Sequence, residues 1–159
     1  MFYTTNPGYK ELNKALRGEI PKTAYFKEYE QALNQAIGKL PNYNLSNSDY
    51  LLRIEDLTQT QIASEYVIGA DITKKAFTST TYSPYALVQA SRKKPHTIIL
   101  KIKARNGKLI EPTSTLQSER EVLLKSNTRF RVDDIKIEQH PDLGYHRDDF
   151  IKVIFLTEL

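Results

Sequence analysis

The stretch Gln117-Ser118-Glu119-Arg120-Glu121-Val122-Leu123-Leu124 places two carboxylates directly before an apolar run. The run from Val122 to Leu124 is typical of a buried strand. Because side chains alternate along a strand, Glu119 and Glu121 share one side if the extended backbone reaches back to Glu119. A carboxylate beside a buried strand needs solvent or hydrogen bonds, since burying an unpaired charge is costly. Taken alone, the stretch is more typical of a solvated strand start than of a catalytic pair.

The elements around this stretch favour an α+β domain. Apolar residues at helical spacing predict helices over 9–16, 21–40, 58–66 and 84–91. Apolar and β-favouring runs predict strands over 50–54, 76–81, 96–103, 108–110, 119–124, 129–138 and 150–156. The order of these elements along the chain, with helices first and strands after, favours two packed, mostly antiparallel β-sheets with the N-terminal helices to one side.

Short local signals place some of these boundaries. Ser83-Pro84 is typical of an N-cap followed by proline at the first helical position. Asn106-Gly107 is a hairpin signal, and it predicts that 108–110 returns along the strand before it. No glycine-rich phosphate turn lies between a strand and a helix, so neither a Rossmann fold nor a P-loop is favoured.

Composition limits the class of protein and of site. The chain has 159 residues, 40% hydrophobic and 26% charged, which suits one domain with a buried core. It has no cysteine, which excludes thiol catalysis and disulfides. His96, His140 and His146 have no ligand spacing that we recognise, so we expect no metal. The net charge of +4 does not favour nucleic acid as a partner.

Three motifs in order carry a family resemblance. They are Arg53 on an early predicted strand, the segment Phe77-Thr78-Ser79-Thr80-Thr81, and the glutamate pair with its apolar run, Glu119 to Leu124. With these motifs the chain resembles the bacterial mono-ADP-ribosyltransferase toxins of the Arg–Ser–Glu type, from about residue 9 to residue 156. Thr81 stands where the family has a second serine. Ile54 stands where the family usually has a small residue, which would narrow a nicotinamide pocket.

The resemblance implies an ADP-ribosyltransferase-like fold, NAD as co-substrate and roles for individual residues. Glu121 would hydrogen-bond the ribose 2′-hydroxyl and stabilise the charge that develops on the sugar. Ser79 would orient Glu121, and Arg53 would hold the phosphate and ribose end of NAD. The further candidates for binding NAD are Thr80, Arg17 and Arg92.

Glu119 would contact the acceptor by the same resemblance. In this family a glutamate two residues before the catalytic one accompanies transfer to arginine. A carboxylate can accept hydrogen bonds from a guanidinium, orient it and help to remove its proton. The segment 111–118 would present the target. Arginine is therefore the favoured acceptor.

The function that follows is an NAD-dependent, arginine-directed mono-ADP-ribosyltransferase, with residues 1–159 as a single catalytic domain of a toxin or effector. Its partners would be NAD and a target protein, joined by an immunity protein if the toxin acts between bacteria. The alternatives are an NAD glycohydrolase, transfer to a non-arginine or nucleic-acid acceptor, and a binding module without chemistry.

Delivery would have to come from outside this stretch of chain. No run approaches the roughly 18 apolar residues that a membrane span needs. No charged-then-apolar leader is typical of a signal peptide. We therefore expect a secreted or delivered toxin that acts in the cytosol of the target cell, carried by a secretion machine or by another part of a longer polypeptide.

Overall fold

The computed structural model describes residues 8–43, 49–110, 120–142 and 149–159. These ranges hold four helices and eight strands, which confirms the predicted α+β class. In chain order they are α1 (Gly8–Leu16), α2 (Ala24–Gly38), β1 (Leu51–Glu55), α3 (Gln59–Glu65), β2 (Asp71–Lys74), β3 (Thr78–Thr81), α4 (Pro84–Lys93), β4 (Ile98–Lys103), β5 (Lys108–Leu109), β6 (Glu121–Leu124), β7 (Thr128–Gln139) and β8 (Phe150–Glu158).

The described strands form one hydrogen-bonded sheet in the order β2-β7-β8-β4-β1-β3-β6-β5. Its strand pairs are antiparallel except for β4 and β8, which confirms the mostly antiparallel prediction. The link between β1 and β3 is narrow, with Leu52 opposite Thr81 as its register pair. It divides the sheet into a larger part, β2-β7-β8-β4-β1, and a smaller part, β3-β6-β5.

The two parts of the sheet pack face to face around the main core. Val122 and Leu124 of β6 belong to the same buried cluster as Leu51 of β1, Leu100 of β4 and Ile154 of β8. Apolar faces from both parts are thereby removed from water, which is the main favourable term in folding. The two packed sheets of the sequence prediction are therefore two parts of one continuous sheet.

Helices cover the outer faces of both parts. Leu12 of α1 and Leu33 of α2 cluster with Leu123, whose side chain lies on the opposite face of β6 from Val122 and Leu124. On the larger part, Leu87 of α4 clusters with Ile99 of β4. The N-terminal helices thus lie on one side, as predicted, and α4 covers the other part of the sheet.

Local caps explain where these helices begin. The Ser83 side chain accepts a hydrogen bond from the backbone of Ala86, so α4 begins at the predicted proline. Thr23 caps α2 in the same way, which moves its start from the predicted Pro21 to Ala24. Thr58 and Gln61 form a reciprocal capping box at the start of α3.

The predicted hairpin at Asn106-Gly107 is wrong. The strand β5 pairs with β6, whereas β4 pairs with β1 and β8. A Cβ added at Gly107 would lie 2.7 Å from Cγ1 of Val122. The glycine therefore permits a close approach to β6, and it does not serve a two-residue hairpin turn.

Candidate active site

Three neighbouring strands bring the predicted triad together. Arg53 lies on β1, Ser79 on β3 and Glu121 at the start of β6, and these strands are adjacent in the sheet. The Ser79 hydroxyl donates a hydrogen bond to Oε2 of Glu121 across 42 residues of sequence. Nη1 of Arg53 donates to the Ser79 carbonyl oxygen at 3.0 Å, across 26 residues. The sheet thus assembles an arginine, a serine and a carboxylate in one hydrogen-bonded chain.

Glu121 is the first residue of β6 and is buried, with 2% of its surface exposed. Its position is held by the β3–β6 ladder, in which Thr81 lies opposite Glu121. Two hydroxyl groups strengthen that ladder: Thr80 donates to the carbonyl of Val122 at 2.7 Å, and Thr81 donates to the carbonyl of Arg120 at 3.1 Å. A buried carboxylate so constrained has little rotational freedom, which suits electrostatic catalysis.

The alternation argument for the glutamate pair required an extended backbone before Glu121, and this condition is not met at Arg120. Arg120 has φ of +50°, in the left-handed region, and β6 begins only at Glu121. Glu119 itself and the predicted target-presenting segment 111–118 lie outside the described residues. The acceptor role of Glu119 stays a prediction.

A second carboxylate, which the sequence analysis did not single out, holds the arginine. Oε2 of Glu55 accepts a hydrogen bond from Nε of Arg53 at 3.1 Å. The Tyr66 hydroxyl donates to Oε1 of Glu55, and Nζ of Lys74 lies 3.2 Å from Oε2. Lys74 also pairs with Glu65 at 2.7 Å. The signal that could have identified Glu55 is its spacing of two residues from Arg53, just past the end of the predicted strand 50–54, because residues two apart on a strand share a face.

The environment of Glu55 favours its ionised form. Burial by itself would disfavour the charge, but the nearby cations Lys74 and Arg53 outweigh it, so the pKa of Glu55 lies below its ordinary value. Burial, with Glu55 alongside, raises the pKa of the Tyr66 hydroxyl far above its ordinary value. Tyr66 therefore stays protonated and donates to a charged Glu55.

The remaining NAD-binding candidates lie in other contacts. Thr80 is buried, with 4% exposure, and its hydroxyl bonds the backbone, so it supports the site through the ladder. The exposed guanidinium of Arg17 pairs with Glu19 just after α1. Arg92, in the last turn of α4, binds Asp142 through two hydrogen bonds of 2.9 Å. Direct contacts of these three side chains with NAD stay predictions.

Two histidines that sequence spacing left unconnected meet beside Arg92. Nδ1 of His140 accepts the backbone N–H of Asp142 at 3.0 Å, so a neutral His140 carries its proton on Nε2. That proton is donated to Nε2 of His96 at 2.8 Å, and Nδ1 of His96 donates to the Lys94 carbonyl. The pair joins the end of α4 to the end of β7.

The part of the chain that the structure describes offers neither a metal-binding group nor a membrane-spanning helix. Among those residues, no group of three or more His, Asp or Glu side chains is placed to hold a metal ion. No described helix has both the length and the apolar character needed to cross a membrane.

Comparison with known proteins gives a family match and close relatives. Residues 2–154 match the family model described as ADP-ribosyltransferase exoenzyme. The chain is 33% identical over 141 residues to the NAD(+)--protein-arginine ADP-ribosyltransferase Tre1 of Serratia proteamaculans, covering 87% of this chain and 28% of that protein. It is 30% identical over 132 residues to Tre1 of Pseudomonas putida, covering 83% and 24%. The chain therefore spans about a quarter of the length of these relatives.

A solved structure shares the fold. The crystal structure of the ADP-ribosyltransferase Vis from Vibrio splendidus, in complex with agmatine, superimposes with a TM-score of 0.70. The two chains are 23% identical, and the match covers 96% of this chain and 69% of that one. At this level of identity the likeness concerns the fold alone.

Proposed function

The chain belongs to the ADP-ribosyltransferase exoenzyme family, and from that premise we propose that it transfers ADP-ribose from NAD to an arginine side chain of a target protein. The two Tre1 relatives carry this activity in their names. Agmatine, which the Vis structure contains, ends in a guanidinium group like that of arginine. Both facts support a guanidinium as the acceptor.

The observation that carries the proposal is the chain of hydrogen bonds from Arg53 through Ser79 to Glu121. NAD, when bound, supplies the ADP-ribose group and nicotinamide as the leaving group. Glu121 would accept a hydrogen bond from the ribose 2′-hydroxyl, and its charge would favour the positive charge that develops on the sugar. Ser79 holds the carboxylate in place, so no reorientation is needed during the reaction.

Arg53 fits the task of binding the phosphate groups of NAD. Its side chain is 31% exposed, and its Nε and Nη1 groups are already bonded to Glu55 and Ser79. Within the described ranges Nη2 has no hydrogen-bond partner, so it can donate to an anion. A guanidinium held in this way offers charge and fixed direction together.

The acceptor side of the proposal rests on Glu119 and the segment 111–118. Glu119 would accept hydrogen bonds from the target guanidinium and help to remove its proton as the new bond to the ribose carbon forms. We assign the protein to the delivered toxins or effectors, acting in the cytosol of a target cell. Residues 1–159 would form the catalytic domain. An immunity protein would be a further partner if the target cell is another bacterium.

Labelled NAD and a lysate test this function. Wild-type protein should transfer label to a protein band, and mass spectrometry should find the modification on arginine. Glu121→Gln keeps the shape but removes the charge, and we expect transfer to fall by about 100-fold or more. Glu138→Gln, a change at a partly exposed carboxylate on β7, is the matched control and should transfer normally.

Other outcomes would overturn the proposal in identifiable ways. Label recovered only as free ADP-ribose would indicate an NAD glycohydrolase. A band erased by nuclease would indicate a nucleic-acid acceptor. A Glu121→Gln protein with an unchanged biological effect would indicate a binding module.

A further inference from the structure

We propose that Glu55 is a positioning residue that holds the Arg53 guanidinium in the orientation that binds the diphosphate of NAD. This inference rests on the proposed function and assigns a residue that the triad does not contain. Glu55 accepts from Nε at 3.1 Å, while the Ser79 carbonyl accepts from Nη1 at 3.0 Å. A guanidinium is planar, so two bonds from different nitrogens fix both its plane and its rotation.

The geometry leaves the third nitrogen for a ligand. Nε and Nη1 are engaged within the protein, and the guanidinium remains partly exposed. A phosphate oxygen that approaches Nη2 therefore meets a donor of fixed direction. Because Arg53 is already ordered before NAD binds, binding does not have to include the entropic cost of immobilising this long side chain.

Glu55 can act as a clamp because it is itself anchored. Its side chain is 10% exposed. The Tyr66 hydroxyl donates to one oxygen, and Tyr66 is buried in the main core with 2% exposure. Lys74, on the edge strand β2, binds the other oxygen at 3.2 Å. The orientation of Arg53 is thereby tied to α3 and β2, elements that the triad does not use.

This arrangement predicts an effect on NAD binding larger than the effect on the chemical step. In Glu55→Ala, Arg53 keeps its bond to Ser79 but loses the second restraint, while the bond between Ser79 and Glu121 remains. We expect KM for NAD to rise about 10-fold, because part of the pre-organisation is lost. We expect kcat to change by less than about threefold, because the carboxylate at the ribose is unaltered.

The experiment compares steady-state kinetics and calorimetric NAD binding across a set of variants. Glu55→Gln should raise KM less than Glu55→Ala, because its amide oxygen still accepts the Nε–H. Tyr66→Phe keeps the ring but removes the hydroxyl, so it should raise KM by an intermediate amount, and it carries the test if Glu55→Ala fails to fold. Asp133→Ala breaks a similar arginine–acid pair on β7 and should leave KM and kcat unchanged.

A double substitution separates positioning from general destabilisation. If Glu55 acts through Arg53, adding Glu55→Ala to Arg53→Ala should not weaken NAD binding further. An additive loss would overturn the inference, as would a normal KM in Glu55→Ala while the wild type is active. A wild-type protein that neither binds nor consumes NAD would overturn the proposed function together with this inference, so the two failures are distinguishable.

Discussion

The chain uses one local arrangement twice, on β1 and on β7. Arg53 and Glu55 lie two residues apart on β1, and Arg131 and Asp133 lie two residues apart on β7. In both pairs Nε of the arginine donates to the carboxylate, at 3.1 Å in the first and 2.7 Å in the second. Strand alternation accounts for both, because residues two apart share a face.

The surroundings of the two pairs differ. The carboxylate is 10% exposed in the first pair and 31% exposed in the second, and the arginine is 31% against 49% exposed. Glu55 is bound by Lys74 and Tyr66 and its arginine touches Ser79, whereas Asp133 receives a further bond from Thr157 on β8. The same local pair therefore has different consequences, because non-local contacts connect only the first pair to the triad.

Removing the two arginines should give the largest contrast. We expect Arg53→Ala to lower kcat/KM for transfer by about 100-fold, since a charged hydrogen-bond donor to phosphate is lost. Arg131→Ala should stay within about twofold of wild type, because exposed ion pairs contribute little. Initial rates with labelled NAD measure both. If kcat/KM fell equally in Arg53→Ala and Arg131→Ala, the two arginines would not differ in function as described.

Removing the two carboxylates should separate their contributions to stability. Glu55→Ala removes an ion-pair partner from both Arg53 and Lys74, whose side chains are largely shielded from solvent. We therefore expect the free energy of unfolding to fall by about 2–3 kcal/mol. Asp133→Ala should lower it by less than about 1 kcal/mol. Chemical denaturation monitored by circular dichroism measures the difference. A smaller loss for Glu55→Ala than for Asp133→Ala would be inconsistent with the burial described here.

The pH dependence of stability should also distinguish the pairs. The pKa of Glu55 is lowered on folding, so its contribution is fully present above the unfolded-state pKa of about 4.3 and is lost as the pH falls through the folded-state pKa. The free energy of unfolding should therefore fall less steeply below about pH 4.5 in Glu55→Gln than in the wild type. The pKa of Asp133 is also lowered, so Asp133→Asn should flatten the curve in the same direction but by less, because solvent screens that pair more. Denaturation midpoints measured from about pH 2 to about pH 6 compare the three proteins. If the stability of Glu55→Gln fell more steeply with falling pH than that of the wild type, the lowered pKa of Glu55 would be contradicted.

Salt should produce the smallest effect. At about 1 M salt the screening length shrinks to about 3 Å, so the exposed pair on β7 should lose its few tenths of a kcal/mol of coupling. The coupling between Arg53 and Glu55 should persist at high salt, because the Glu55 carboxylate is largely shielded from solvent. Double-mutant cycles at low and high salt measure both coupling energies. A salt-sensitive pair on β1 would mean that water reaches Glu55 freely.

Local chemistry explains the parts of the fold that could be predicted. The start of α4 follows from the Ser83 cap and the proline after it, which need only neighbouring residues. Long strands such as β7 and β8 follow from their apolar patterns. β2 was not predicted, because its alternating exposed and half-buried residues carry no apolar signal. The pairing of β5 with β6 was missed because a turn signal does not specify a distant partner.

The residues of the triad were reached through the resemblance, which supplied Arg53, Ser79 and Glu121 in order. Their hydrogen-bonded connection required the sheet order β1-β3-β6. Glu55 was missed because its importance comes from Tyr66 and Lys74, which are 11 and 19 residues away in sequence. The extended backbone on which the alternation argument depended is interrupted at Arg120, whose left-handed backbone no periodic pattern predicts.

The sequence by itself determined the cap of α4, the α+β order and the family motifs, because these depend on residues within a few positions of one another or on a recognisable pattern. Only the tertiary structure decided that β5 joins β6, that a narrow link between β1 and β3 joins the two packed parts of the sheet, and that one of two similar arginine–acid pairs lies beside Ser79. The physical reason is that hydrogen bonds and burial across 26 to 42 residues depend on which surfaces meet after the chain has folded.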